Sequence, residues 1–307
     1  MKKISVGGSD IVSSNIVMGC MRISSLSQPE TEKLVRTAID EGVNFFDHAD
    51  IYGGDHGCEA HFGASVPMPA SLRERIYIQT KCAIRDGLYD FSKEHILKQV
   101  DGSLQALKTD YIDVLLLHRP DTLMEPEEVA EAFCILHSAG KVRHFGVSNQ
   151  TPMQMELLQK YVPYKLIANQ LQLSAAHTPM IDAGLAANMA IDQSIERTGE
   201  VLEYCRLKDI TIQAWSPFQK GFFGGPFLGD METYPELNAV IGRIAKAYGV
   251  TDTTIAIAFL TRHPANFQVI LGTTNIQRLK DACKASELRL TRDEWYEIYK
   301  AAGNRLP

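Results

Sequence analysis

The 307-residue chain has no cysteine pair at CxxC spacing, no block of lysine and arginine, no low-complexity tract and no long apolar run. Each absence excludes something. The cysteines, Cys20, Cys58, Cys82, Cys134, Cys205 and Cys283, are scattered, which argues against a zinc or dithiol motif and suits reduced thiols in a cytoplasmic protein. A net charge of −6 without a basic cluster argues against a general nucleic-acid or membrane surface, though an anionic ligand needs only a few placed donors. No segment approaches the ~18 apolar residues of a membrane span. Met1-Lys2-Lys3 leads into no apolar stretch, so the start does not read as a signal peptide. What the chain does have is 45% hydrophobic and 22% charged residues, enough to bury a large core in a soluble protein.

The remaining signal is a rhythm of short apolar runs and helical patterns. Runs at Ile16–Gly19, Val43–Phe46, Ile76–Thr80, Tyr111–Leu117, Val142–Val147, Ile167–Leu171, Ile210–Ala214 and Val269–Leu271 read as strands. Helical spacing follows at Pro29–Ile39, Ser92–Leu107, Glu127–Ser138, from Pro152, near Gly199–Leu207 and from Ile276. The strands are nearly continuous in apolar residues, as befits a parallel sheet covered on both faces. Repeated strand–helix units predict an α/β fold of the (β/α)8 TIM-barrel type, one domain over residues 1–307. An open doubly wound sheet is the alternative. It calls for a GxGxxG turn after the first strand, where this chain has Gly19-Cys20-Met21-Arg22. Ile4–Val6 and Asp10–Val12 around Gly7-Gly8 predict a β-hairpin capping the barrel bottom.

In such a barrel the chemistry gathers where strands end. The second strand ends in Phe46-Asp47-His48-Ala49-Asp50-Ile51-Tyr52-Gly53, the third in Thr80-Lys81, the fourth in Leu117-His118-Arg119-Pro120. Singly these residues have plain structural readings: Asp47 as a helix cap, Lys81 as surface, His118 as a satisfied core histidine, Tyr52 as packing. Together an Asp, a Tyr, a Lys and a His at three successive strand ends share one mouth, which is what a proton-transfer site requires. A metal site built on His56, Cys58, Glu59 and His61 is disfavoured by its spacing, and no metal is expected.

On these residues the sequence resembles the aldo-keto reductase family over nearly its whole length. Asp47, Tyr52, Lys81 and His118 match the family's catalytic tetrad, and the stretch from Asp47 to Gly53 followed by Glu59 resembles its signature. The resemblance implies nicotinamide contacts at Ser148, Asn149 and Gln170 and stacking on Trp215, where Tyr is commoner. It further implies cofactor contacts at Gly19, Met21, Arg22, Asp47, Ser216, Pro217, Phe218, Gln219, Gly221, Gly272, Thr273, Thr274, Asn275 and Arg278. Gly272 stands where many members have a Lys for the adenosine 2′-phosphate, leaving Arg278 as the cationic clamp. The cofactor implied is NADP(H), with NAD(H) at lower affinity. The segment from Leu117 is most similar to bacterial members of unassigned substrate.

The implied reaction is reversible hydride transfer with a small aldehyde, ketone or alcohol, with Tyr52 as general acid/base. Lys81 would favour the tyrosinate, Asp47 would hold Lys81, and His118 would orient the carbonyl. The alternative is a catalytically weak NADP(H)-binding sensor of the same family. A barrel hydrolase or lyase lacks its paired carboxylates or metal set. The variable loops 119–126, 175–193 and 218–235 are where specificity belongs. In the last, Phe222, Phe223 and Phe227 suit either a lid or ordinary packing. The short segment Ala301–Pro307 suggests an open pocket with broad carbonyl selectivity. Arg22 suits either a polar substrate or an ion pair with Asp50. A monomer or weak homo-oligomer is expected.

Overall fold

The structure is a computed structural model that describes residues 1–221 and 224–304. Its centre is a closed barrel of eight parallel strands. In chain order these are β1 (Ile16–Gly19), β2 (Phe45–Asp47), β3 (Tyr77–Cys82), β4 (Ile112–Leu117), β5 (Val142–Ser148), β6 (Leu166–Gln172), β7 (Thr211–Trp215) and β8 (Gln268–Leu271). Each strand pairs with its chain neighbours, and β8 closes onto β1 through Ile270 opposite Val17. The apolar runs account for this arrangement. Every residue of β4 is buried, because one set of side chains fills the barrel and the alternate set meets the helices outside.

Within the barrel, Val17, Phe45, Val114, Leu116, Ile167, Ala168 and Ile270 pack with Val6 and Ile11 from the N-terminal hairpin. That hairpin pairs Lys3–Ser5 with Val12–Ser14, so its first strand lies one residue earlier and its second two residues later than the sequence pattern suggests. The reason is that Val6 and Ile11 leave the ladder to plug the barrel floor, joined by Val6 N donating to the Ile11 carbonyl at 3.0 Å. Gly7 has φ +56°, and a Cβ there would lie 2.3 Å from the Ile167 carbonyl oxygen. Only glycine permits that approach.

Strand ends shift by one or two residues from the apolar runs: β3 reaches Cys82 and β7 reaches Trp215. The ladder carries each strand into the polar segment that follows it. Two helices, Pro235–Tyr248 and Asp252–Thr261, fill the interval between β7 and β8 that the sequence reading left without elements. The second buries every residue from Thr254 to Leu260, so it has no polar stripe to betray a helical period. A short helix, Pro179–Leu185, lies inside the expected loop 175–193. A small hairpin, Ile84–Arg85 with Leu88–Tyr89, follows β3. Phe227 is fully buried in the main core, which favours ordinary packing, of the two readings the sequence left open for it. Phe222 and Phe223 lie outside the described residues. No helix among the described residues is long and apolar enough to cross a membrane.

Candidate active site

Asp47 is the last residue of β2 and Lys81 the fifth of β3, so strand pairing brings both to the same rim. Lys81 is fully buried. Its Nζ donates to Asp47 Oδ2 at 2.8 Å, to the His48 carbonyl at 2.7 Å and to the Tyr52 hydroxyl at 3.3 Å. Tyr52 reaches this position on a tight turn. Its N–H bonds the Ala49 carbonyl, its carbonyl accepts from Cys58 N at 2.8 Å, and Asp50 N bonds the Lys81 carbonyl at 3.0 Å. His118 follows β4, with its ring edge-on to Tyr52 at a centroid distance of 5.7 Å. The structure therefore brings all four residues of the expected tetrad to one mouth.

The electrostatics follow from burial and from that one ammonium. Burial opposes the charge on Lys81, but Asp47 and Tyr52 outweigh it and leave its pKa raised, so it stays cationic. Burial raises the Tyr52 hydroxyl above its ordinary range, while Lys81 pulls it back down. His118 is driven well below the usual histidine range by burial and then by Lys81 and Arg119, so its imidazole is neutral. His118 Nδ1 is buried without a partner.

The other expected residues form an arc around this mouth. Gln170 on β6 is buried, and its Nε2 donates to Asp47 Oδ1 at 3.0 Å. Ser148 donates to the Gln170 carbonyl at 3.0 Å, and Asn149 Nδ2 donates to Ser148 Oγ at 2.7 Å. Trp215 donates its indole N–H to Asn149 Oδ1 at 3.3 Å. The Arg119 guanidinium, from the opposite side of the mouth, lies 5.7 Å from the Trp215 ring centroid. Ser216 adopts φ +51°, and the turn through Pro217, Phe218 and Gln219 is closed by Gln219 N on the Ser216 carbonyl at 3.0 Å. Gln219 Oε1 is buried with no partner. Gly19 is a packing requirement: a Cβ there would lie 2.9 Å from the Leu271 carbonyl oxygen.

Past β8, Thr273 and Thr274 precede the helix Ile276–Lys284, which Asn275 caps by accepting Arg278 N at 3.0 Å. Gly272 and Arg278 are exposed. Met21 and Arg22 are exposed after β1, and no ion pair between Arg22 and Asp50 occurs among the described residues. A model of the Aldo/keto reductase family matches residues 15–302.

The chain belongs to the aldo/keto reductase family.

This aldo/keto reductase is similar to the uncharacterized oxidoreductase YcsN of Bacillus subtilis, 37% identical over 95% of each chain. Oxidoreductase YdhF of Escherichia coli is 36% identical, covering 94% of this chain and 93% of its own. A 6-dehydroglucose reductase of Agrobacterium fabrum is 34% identical over 94% of each. The fold matches an aldo-keto reductase of Klebsiella pneumoniae in complex with NADPH at a TM-score of 0.77, with 22% identity, covering 100% of this chain and 97% of that one.

Several buried polar groups of this reductase escaped the sequence reading. Gln79, Gln213 and Gln268 are fully buried inside the barrel. The signal was present: one glutamine within each of three apolar strands. Behind Tyr52, Glu59 accepts from Thr80 Oγ1 and from Ser103 Oγ at 3.0 Å, and lies 2.5 Å from His56 Nδ1. His61 contacts Thr31, and Cys58 contacts Ser24 and the Met21 carbonyl. Among the described residues no group of three or more His, Cys, Asp or Glu is placed to hold a metal ion. Asp50 carries a buried, unpartnered Oδ1, and burial together with Glu59 pushes its carboxyl up to about 7.

Proposed function

We propose that this aldo/keto reductase is an NADPH-dependent carbonyl reductase, acting reversibly on small aldehydes, ketones or alcohols, with Tyr52 as general acid/base. The observation that carries the reading is the Tyr52 hydroxyl within 3.3 Å of a buried ammonium that is itself held by Asp47. A tyrosine ionises near 10 in water, and a cation at this distance favours its anion. Tyr52 gives its proton to the developing alkoxide in reduction and, as the anion, takes it back in oxidation. His118, neutral at all ordinary pH, keeps an N–H for the carbonyl oxygen without adding a charge that would compete with Lys81.

The nicotinamide supplies the hydride. The residues around Trp215 suit such a ring. An indole face that holds a flat guanidinium at 5.7 Å has the shape and quadrupole to hold a flat pyridine ring, including its cationic oxidised form. Both Nε2 protons of Gln170 are committed, to Asp47 and to Gln213, which leaves Oε1 to accept an N–H from a carboxamide. Arg278, with Thr273 and Thr274, offers donors for a 2′-phosphate. The relatives named as 6-dehydroglucose reductase support a polar, hydroxylated carbonyl within the substrate class.

The test is titration of Trp215 fluorescence with NADPH and NADH, followed by NADPH consumption with a nitrobenzaldehyde. Saturable quenching, tighter for NADPH, together with turnover supports the reductase. Quenching without turnover points instead to a nucleotide-binding sensor. No binding of either nucleotide sinks both readings.

A further inference from the structure

The barrel interior of this enzyme holds a chain of amides that the hydride-transfer reading does not use. Gln79 on β3 donates Nε2 to Asp47 Oδ1 at 2.6 Å and to Gln213 Oε1 at 2.8 Å. Gln213 on β7 returns a bond from Nε2 to Gln79 Oε1 at 2.9 Å and donates also to Gln268 Oε1 at 2.8 Å. Gln268 on β8 donates to Ser13 Oγ at 2.7 Å and to the Ser14 carbonyl at 3.2 Å, in the hairpin on the barrel floor. All three glutamines are fully buried.

Two features of this chain go beyond filling space. Gln79 and Gln213 form a reciprocal pair in which each donates to the other, so neither amide can turn over alone without setting like groups against each other. The direction of the pair is set at its upper end by charge, because a carboxylate accepts and cannot donate. Asp47 therefore meets the Gln79 N–H on Oδ1, at a shorter distance than the Gln170 N–H that shares that oxygen, and the Lys81 ammonium on Oδ2. The barrel floor, through Ser13, fixes the far end.

We propose that Gln79 is a positioning residue for the proposed proton transfer: clamped by Gln213, its amide holds the Asp47 carboxylate so that Lys81 is aimed at Tyr52. The proposal rests on the reductase reading for its effect on rate, and on geometry alone for its effect on Tyr52. By holding part of the carboxylate's charge on Oδ1, the Gln79 N–H leaves the ammonium less neutralised and better able to draw the proton from Tyr52. Tyr52 is faced by Lys81, Asp47, Arg119 and the His118 ring, Asp47 also by Cys20, and Lys81 by His48. Asp50 lies on the Tyr52 turn and Glu59 on the helix Gly57–Ser65 behind it. Of these groups, only Asp47 loses a hydrogen bond when Gln79 is exchanged.

The experiment compares Gln79→Met with Gln268→Met. Both remove a buried amide from the same chain, but only the first removes a bond to Asp47. Tyr52 ionisation is read directly, as the tyrosinate absorbance of each variant minus that of the same variant carrying Tyr52→Phe, followed against pH. Gln79→Met is expected to move the Tyr52 midpoint upward by about half a pH unit or more, and to lower kcat by about 10-fold with NADPH binding within about 3-fold. Gln268→Met is expected to lose thermal stability with the midpoint in place. An equal shift in both variants, or none in either, overturns the proposal. If Gln79→Met does not fold, Gln213→Met leaves Gln79 present with its amide released. It must shift the midpoint in the same direction, and an unmoved midpoint there also overturns it. A wild-type protein without turnover, in which Gln79→Met still moves Tyr52, refutes the reductase reading and leaves the positioning role standing.

Discussion

The Lys81 ammonium lies 3.3 Å from the Tyr52 hydroxyl oxygen, inside a mouth where Lys81 itself is fully buried. Water cannot screen that contact, so its influence on Tyr52 is greater than at a surface. Tyr52→Phe keeps the ring and removes the proton. Turnover is expected to fall by at least ~100-fold, with nucleotide binding unchanged. Steady-state kinetics beside a fluorescence titration check this, and unchanged turnover removes Tyr52 from the acid/base role.

Lys81→Met is expected to act on the pH profile as well as on the rate. Lys81 pulls the Tyr52 hydroxyl down against burial, so its loss leaves the tyrosine harder to ionise. Alcohol oxidation, which needs the anion, then moves to higher pH, while carbonyl reduction, which needs the neutral form, persists further into alkali. The variant also strands the buried Asp47 carboxylate, at a cost of about 3–5 kcal/mol, visible in thermal melting. A lowered rate with an unmoved profile would leave Lys81 a purely structural part.

Gly272 has no heavy atom within 4 Å of an added Cβ, so a side chain fits there without strain. Gly272→Lys places a second cation near Arg278 and is expected to tighten NADPH by about 10-fold with little change for NADH, from about 1.4 kcal/mol of added charge pairing. Arg278→Ala is expected to act in the opposite sense. Equal changes for the two nucleotides in both variants would move the 2′-phosphate away from this helix end.

Asp50 gives a stability prediction. Its carboxyl is raised from an ordinary value of 3.8 to about 7 by burial and by Glu59. An acid raised on folding stabilises the native state while protonated. The contribution is intact below pH 4, fades as pH rises toward 7, and is lost above it. Asp50→Asn keeps the neutral form and is expected to add about 2–4 kcal/mol near pH 8 and little near pH 4. Chemical denaturation at both pH values decides it, and an equal gain at both would mean that charge is not the cause.

Much of this was legible in the sequence because the barrel writes its pattern plainly. Continuous apolar strands announced two covered faces, and the residues closing them, Asp47, Lys81 and His118, announced the mouth. The helix Asp252–Thr261 was not legible, since burial on all sides leaves no period. The hairpin register was displaced because Val6 and Ile11, apolar enough to read as strand, turn inward as a plug. Gln79, Gln213 and Gln268 sat in view as polar letters inside apolar strands, but only three-dimensional pairing shows that they meet one another and Asp47. Asp50 looked like any loop carboxylate, because desolvation is a property of surroundings and not of spacing.

The tetrad's support comes largely from strand rims, the Tyr52 turn and the barrel interior, while in the loops 119–126 and 175–193 it is Arg119 that acts on Tyr52 and His118. With Arg119 kept, the proposed proton chemistry and substrate choice occupy separable parts of the molecule. Grafting foreign loops that retain Arg119 onto this rim should exchange the compounds accepted while the acid/base pair keeps its character, which makes the chain a chassis on which carbonyl selectivity can be rewritten piece by piece.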